Sequence, residues 1–109
     1  MDILTTDVLI VGSGAAGLRA AIASRIGRAE TLVVSKAPPG LGTSTILSGA
    51  GFAASIDGVS QDDHRTRTYE AGRGINPPEL VETLVADASQ KITELMAWGM
   101  RAHVSPGMV

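Results

Sequence analysis

The sequence predicts an α/β fold on three observations: two short apolar runs of strand character, an Ala-rich helical stretch between them, and a glycine-rich turn leading into that helix. Asp7 to Val11 (DVLIV) is almost wholly apolar, as a buried parallel strand requires, and Gly12 ends it. Ala15 to Gly27 (AAGLRAAIASRIG) spaces Ala15, Leu18, Ile22 and Ile26 so that they line one helical face. Thr31 to Val34 (TLVV) is the second strand. Strand, turn, helix and strand make a βαβ unit, whose crossover is expected to be right-handed.

Lys36 to Gly58 is rich in Gly, Pro, Ser and Thr and reads as a long loop, with one helical turn near Gly49 to Ser55. A loop of this length in a small domain usually has a task. Two helices follow. Ser60 as N-cap with Asp63 three residues on opens the first, which is expected to end about Ala71. Asn76 as N-cap, Pro77 at the first helical position and Glu79 at N3 open the second. Its apolar spacing runs through Leu80, Leu84, Ala88, Ile92, Leu95 and Met96, and Gly99 is its expected stop. There is no internal repeat, and Arg101 to Val109 carries no clear domain terminus.

The composition narrows the function classes. With 109 residues, 44% of them hydrophobic and 18% charged, the chain should fold around one modest core. One Phe, one Tyr and one Trp leave that core to aliphatic side chains. A formal charge of −2 argues against a nucleic-acid footprint, which needs a basic surface. The absence of cysteine excludes disulfides, thiolate metal sites and Cys nucleophiles, and fits a cytoplasmic protein. The start MDILTTDVLIVG lacks a basic leader region, and no apolar run reaches the roughly 18–20 residues of a transmembrane segment.

Gly12-Ser13-Gly14-Ala15-Ala16-Gly17 matches G-x-G-x-x-G, and the flanking strand and helix give the motif its meaning. Gly12 permits the turn out of the strand, Gly14 lets a pyrophosphate approach the backbone, and Gly17 lets helix and strand pack closely. The helix N-terminus adds unpaired N–H groups and the positive end of its dipole. These features define a Rossmann-like dinucleotide site. The end of the second strand, where an acidic residue would take ribose hydroxyls, carries Ser35 and Lys36 instead, which weakens a plain NAD reading. Ser35 can hydrogen-bond a ribose hydroxyl; Lys36 lies near ribose or phosphate, or is an exposed loop charge. Thr43-Ser44-Thr45-Ile46-Leu47-Ser48-Gly49-Ala50-Gly51 then offers hydroxyls and close backbone approach to a cofactor.

DVLIVGSGAAGLRAAI, LVVSK and the Ser/Thr-rich loop ending in glycines together resemble the fumarate reductase and succinate dehydrogenase flavoprotein family, which includes L-aspartate oxidase. The later AGRGINPPELVETLVADASQKITELMAWGM is similar to that family's helical segment after the loop. The resemblance implies a Rossmann-like FAD-binding βαβ unit followed by a cofactor loop and two helices, incomplete as a flavoenzyme. Ser13, Gly14, Ala15 and Ala16, beside Gly12 and Gly17, would cradle the FAD pyrophosphate. Ser35 and Lys36 would lie at the adenosine ribose. Thr43 and the run Ser44, Thr45, Ser48, Gly49, Ala50 and Gly51 would follow the isoalloxazine ring and ribityl chain. Respiratory members bond the flavin covalently through a histidine of this loop. Ser44 stands at that position here, so the resemblance implies noncovalent FAD. Gly49-Ala50-Gly51 replaces the family's common Gln-Gly-Gly, which removes any contact from the Gln.

The same resemblance implies residues 1–109 are the N-terminal portion of an FAD-binding domain. The capping domain, with its substrate-binding arginines and histidines, has no counterpart here, so catalytic residues are not assigned. The expected function is the FAD-binding portion of a flavin-dependent oxidoreductase exchanging a hydride with a dicarboxylate-type small-molecule substrate. Its site would be completed by a further C-terminal segment or a partner subunit. The alternatives are an L-aspartate oxidase-like or ketosteroid dehydrogenase-like flavoenzyme, or a non-catalytic nucleotide-binding subunit completed by a partner chain. The expected location is cytoplasmic, with attachment to the inner face of a membrane through a partner as the variant.

Other polar residues read as structural. His64 and His103 lack a Ser, Cys or acid at triad-like spacing. Asp62, Asp63 and His64 point in different directions on a helix and are not expected to bind metal; aspartates there suit the helix start. Asp87 and Glu94 fit a solvated face, and Met96, Trp98 and Met100 fit packing positions.

Overall fold

The computed structural model describes residues 2–49 and 51–103. The order is β1 (Val8–Val11), α1 (Ala15–Ile26), β2 (Thr31–Val34), α2 (Ser44–Leu47), α3 (Gln61–Ala71) and α4 (Pro78–Ala97). Two compact units divide it, residues 1–51 and 52–109. The first is α/β with a two-stranded parallel sheet, and the second is a helix pair.

In the first unit β1 and β2 pair in parallel with Val8 opposite Thr31 and Val11 opposite Val34. β1 starts one residue later than the apolar run suggests. Asp7 serves instead as a clasp: its carboxylate accepts the Glu30 N–H at 2.8 Å and its own N–H donates to the Glu30 carbonyl at 3.1 Å. Thr6 Oγ1 donates to the same carbonyl at 2.8 Å. The N-terminal ends of both strands are thereby held in register.

α1 ends at Ile26, with Gly27 as its C-cap. The left-handed residue of the exit is Arg28, at φ 64°. Full burial of strands and helix does not occur. Leu9 is 58% and Val11 81% exposed, and Leu18, Ile22 and Ile26 of the expected inner face of α1 are exposed too. Parallel strands are normally covered on both faces. Among the described residues of this unit α1 packs on the sheet.

The single helical turn of the long loop falls at Ser44–Leu47, not near Gly49 to Ser55. Thr43 decides this. Its hydroxyl accepts from the Ile46 N–H at 3.4 Å, an N-cap that Gly49 cannot supply.

In the second unit Ser60 caps α3 with both halves of a capping box: Ser60 Oγ accepts the Asp63 N–H at 3.0 Å and Asp63 reaches back to the Ser60 N–H. α4 begins one residue later than expected, with Pro77 as N-cap and Pro78 inside. Asn76 is drawn away by α3. Its amide donates to the Thr68 carbonyl at 3.4 Å and fills the space beside Gly72 where a β-carbon would stand. Gly99, at φ 101°, follows the end of α4 as the stop.

The core of this unit is aliphatic, formed by Val81, Val85 and Ala88 with His64 buried beside the pair. Leu80 and Leu84, expected inside, are exposed. The stripe one residue on, turned by about 100°, is the buried one. Arg65 of α3 clasps Glu82 of α4 through Nε–Oε1 at 2.7 Å and Nη2–Oε2 at 2.9 Å, and also pairs with Asp62. Ser89 Oγ ties the preceding loop to α4 by donating to the Ser55 carbonyl at 2.8 Å. Among the described residues no helix is long and apolar enough to cross a membrane.

Candidate functional site

The site forms where β1, β2 and α1 meet, and backbone chemistry shapes it first. Gly12 leaves β1 at φ 113°, a left-handed conformation that only glycine adopts without strain, and its N–H donates to the Val34 carbonyl at 2.8 Å. The chain therefore turns sharply while staying tied to β2. Gly17 faces back onto this turn, where a β-carbon would run into the Gly12 carbonyl. Helix and turn thus approach as closely as the motif requires.

Gly14 is the N-cap of α1, extended in conformation and without a side chain to cap the helix. The missing cap comes from the long loop: the Ala15 N–H donates to Thr45 Oγ1 at 3.0 Å. A β-carbon on Gly14 would stand 3.3 Å from that hydroxyl oxygen and 3.7 Å from the Thr43 β-carbon. The N–H groups of Ala16 and Gly17 have no acceptor among the described residues. Two donors and the positive helix end are therefore presented together, an arrangement suited to an anion.

Ser13 is 2% exposed. Its hydroxyl lies 2.8 Å from that of Ser35, joining the glycine turn to the end of β2. Beside this pair is an open cleft of about 350 Å³ lined by Val11, Gly12, Val34, Ser35 and Lys36. It lies at the carboxyl ends of the parallel strands, where ligands of open α/β sheets bind. The glycine motif does not mark Val11 or Val34. Their signal in the sequence is their place as the last residues of the two strand runs.

The structure therefore brings together Gly12, Ser13, Ser35 and Lys36 at the cleft, and Gly14, Ala15 and Thr45 at the helix end. Thr43 and Ser48 bracket α2, with Ser48 Oγ donating to the Thr45 carbonyl at 2.8 Å. Ser44, Gly49 and Gly51 are exposed and line no part of the cleft, and Ala50 lies outside the described residues. The donor set fits a dinucleotide such as FAD: a side-chain-free cradle, free amides at a helix end, and hydroxyl and ammonium groups at the strand end.

Similarity to known proteins points the same way. The family model described as FAD binding domain matches residues 7–107. The chain is 38% identical over 105 residues to L-aspartate oxidase of Mycobacterium bovis, covering 93% of this chain and 20% of that protein. It is 36% identical over 93 residues to L-aspartate oxidase of Caulobacter vibrioides, covering 84% and 18%. It is 33% identical over 102 residues to a subunit of the fumarate reductase (CoM/CoB) of Methanothermobacter marburgensis, covering 90% and 19%. No solved structure matches the chain. The chain spans about a fifth of the length of these curated relatives. With the family matched over nearly its whole length, the chain belongs to the FAD binding domain family.

Proposed function

We propose that this chain is the N-terminal, FAD-binding portion of a flavin-dependent oxidoreductase acting on a dicarboxylate-type substrate, as in fumarate reductases and L-aspartate oxidases. The observation that carries the reading is the convergence of Gly12, Ser35 and Lys36 on one cleft beside the N-terminus of α1. In this Rossmann-like arrangement Ser13, Gly14, Ala15 and Ala16 hold the pyrophosphate. Ser35 and Lys36 meet the adenosine ribose. Thr43 and the segment Ser44 to Gly51, including Thr45, Ser48, Gly49 and Ala50, follow the flavin end. FAD, when bound, supplies the hydride exchange. The names of the relatives support the dicarboxylate class, since aspartate and fumarate both carry two carboxylates.

Ser44 cannot form the covalent histidine linkage, so the FAD is held noncovalently. Substrate-binding groups belong to a capping domain outside this chain, consistent with its covering a fifth of its relatives. Between the two named activities, L-aspartate oxidase is supported by relatives at 33–38% identity and is the first reading; fumarate reductase, supported by a relative at 33%, is the second.

The test is titration of the purified chain with FAD, followed by gel filtration, a visible spectrum and acid precipitation. Flavin that travels with the folded chain and leaves with the acid supernatant is the expected result. Colour in the pellet overturns noncovalent binding. No saturable binding overturns the FAD reading of this chain.

A further inference from the structure

We infer that the ribose end of the cleft accepts a phosphate monoester on the adenosine ribose as well as a free hydroxyl, so that 2′-phosphorylated adenine dinucleotides are ligands of the same site. This rests on the FAD reading and extends it to the class of nucleotide admitted.

The first ground is the charge of the cleft. Its lining carries one hydroxyl, Ser35, one cation, Lys36, and no carboxylate. In dinucleotide folds a carboxylate at the end of the second strand takes the ribose hydroxyls, whereas a cation there accommodates a 2′-phosphate. Within residues 1–51 the acids are Asp2, Asp7 and Glu30. Asp7 and Glu30 lie at the opposite ends of the strands, where the Glu30 N–H donates to Asp7 Oδ2. Four strand residues at about 3.3 Å each separate them from the cleft, roughly 13 Å. That exceeds the screening length of about 8 Å at physiological salt. Among the residues that line the cleft, Lys36 is the charge that a ribose phosphate meets.

The second ground is a hydroxyl pair with one buried member, Ser13, and one exposed member, Ser35. Ser13 is 2% exposed, and its hydroxyl lies 2.8 Å from Ser35 Oγ. Either hydroxyl can donate to the other. When Ser13 donates, the Ser35 proton is free for an incoming acceptor such as a phosphate oxygen. When Ser35 donates to Ser13, its own oxygen can still accept from a ribose hydroxyl. A carboxylate in the same place could only accept. The pair thus adapts to both forms of the ribose, with Ser13 acting as a positioning residue through Ser35.

The experiment is calorimetric titration of the chain with ADP-ribose and with 2′-phospho-ADP-ribose, with FAD as reference, repeated on Lys36→Gln and Ser35→Glu checked for folding by circular dichroism. In the parent chain the phosphorylated probe binds within about tenfold of ADP-ribose or better. Lys36→Gln shifts the ratio of the two affinities against the phosphorylated probe by roughly fivefold, the size of one exposed charge pair. Ser35→Glu shifts it further in the same direction. Rejection of the phosphorylated probe by more than about tenfold in the parent chain overturns the inference while leaving FAD binding intact. An unchanged ratio in both variants also overturns it. Failure of FAD itself to bind removes the underlying reading and this inference with it.

Discussion

The hydroxyl of Thr45 accepts a hydrogen bond from the backbone N–H of Ala15 at 3.0 Å, across 30 residues of sequence. A helix whose own N-cap is glycine is thus capped by the loop that follows the second strand. The bond also leaves the Thr45 hydroxyl proton free to point outward, because a hydroxyl both accepts and donates.

Thr45→Val removes this cap while keeping the shape of the side chain. The expected cost is about 1 kcal/mol of stability, read as a lower urea midpoint with unchanged slope. Thr45→Ser should restore most of it. A Val variant as stable as the parent would show that Ala15 finds another acceptor at no cost.

Gly17→Ala drives a β-carbon into the Gly12 carbonyl, and backbone cannot yield as a side chain can. Destabilisation of about 1–3 kcal/mol or more is expected, together with loss of FAD binding. Gly14→Ala meets the Thr45 hydroxyl at 3.3 Å and the Thr43 β-carbon at 3.7 Å, side-chain atoms and not backbone, and is expected to weaken FAD binding with a smaller effect on stability. Urea denaturation and FAD titration on both variants separate the two glycines. Equal stability losses would contradict the contact geometry.

His64 is 2% exposed, and neither ring nitrogen has a hydrogen-bond partner among the described residues. Replacing an unpartnered buried polar ring by an apolar side chain of similar size is expected to be neutral or stabilising. His64→Leu should raise the stability of the second unit by up to about 1 kcal/mol. A marked loss in the thermal midpoint would mean that the imidazole has a partner in solution.

Glu82 titrates below its ordinary value of 4.5, chiefly because it accepts hydrogen bonds from Arg65. Arg65 is raised for the same reason and stays charged at all ordinary pH. A depressed carboxylate contributes stability above its unfolded-state pKa and loses it as pH falls through the folded-state value. The pair should therefore act fully at neutral pH and fade below pH 4.5. Glu82 is exposed and Arg65 half-buried, so the effect should also shrink in salt. The check is the stability difference between parent and Glu82→Gln at neutral and acid pH. A difference that does not shrink as pH falls below 4.5 would contradict it.

Local patterns carried much of the fold in the sequence. The strand β2, the glycine turn, the capping box at Ser60 and the stop at Gly99 each depend on residues within a few positions of one another, and each stands where the pattern put it. The α4 face did not follow from pattern alone. Leu80, Val81, Leu84 and Val85 form two apolar stripes of equal spacing, and only packing against α3 selects Val81 and Val85 for the core. Asn76 satisfied the rules for an N-cap, yet the Thr68 carbonyl and the space beside Gly72 held it elsewhere.

By itself, then, the sequence determined the order of the βαβ elements and the glycine turn between the first strand and the helix. Only the tertiary structure decided that Ser13 pairs with Ser35 across 22 residues and that Thr45 caps Ala15 across 30. Those contacts depend on the parallel register of β1 with β2 and on the return of a long loop to the helix end. Neither leaves a periodic trace in the chain, because a single hydrogen bond between distant residues is selected by the closing of the fold and not by the spacing of its neighbours.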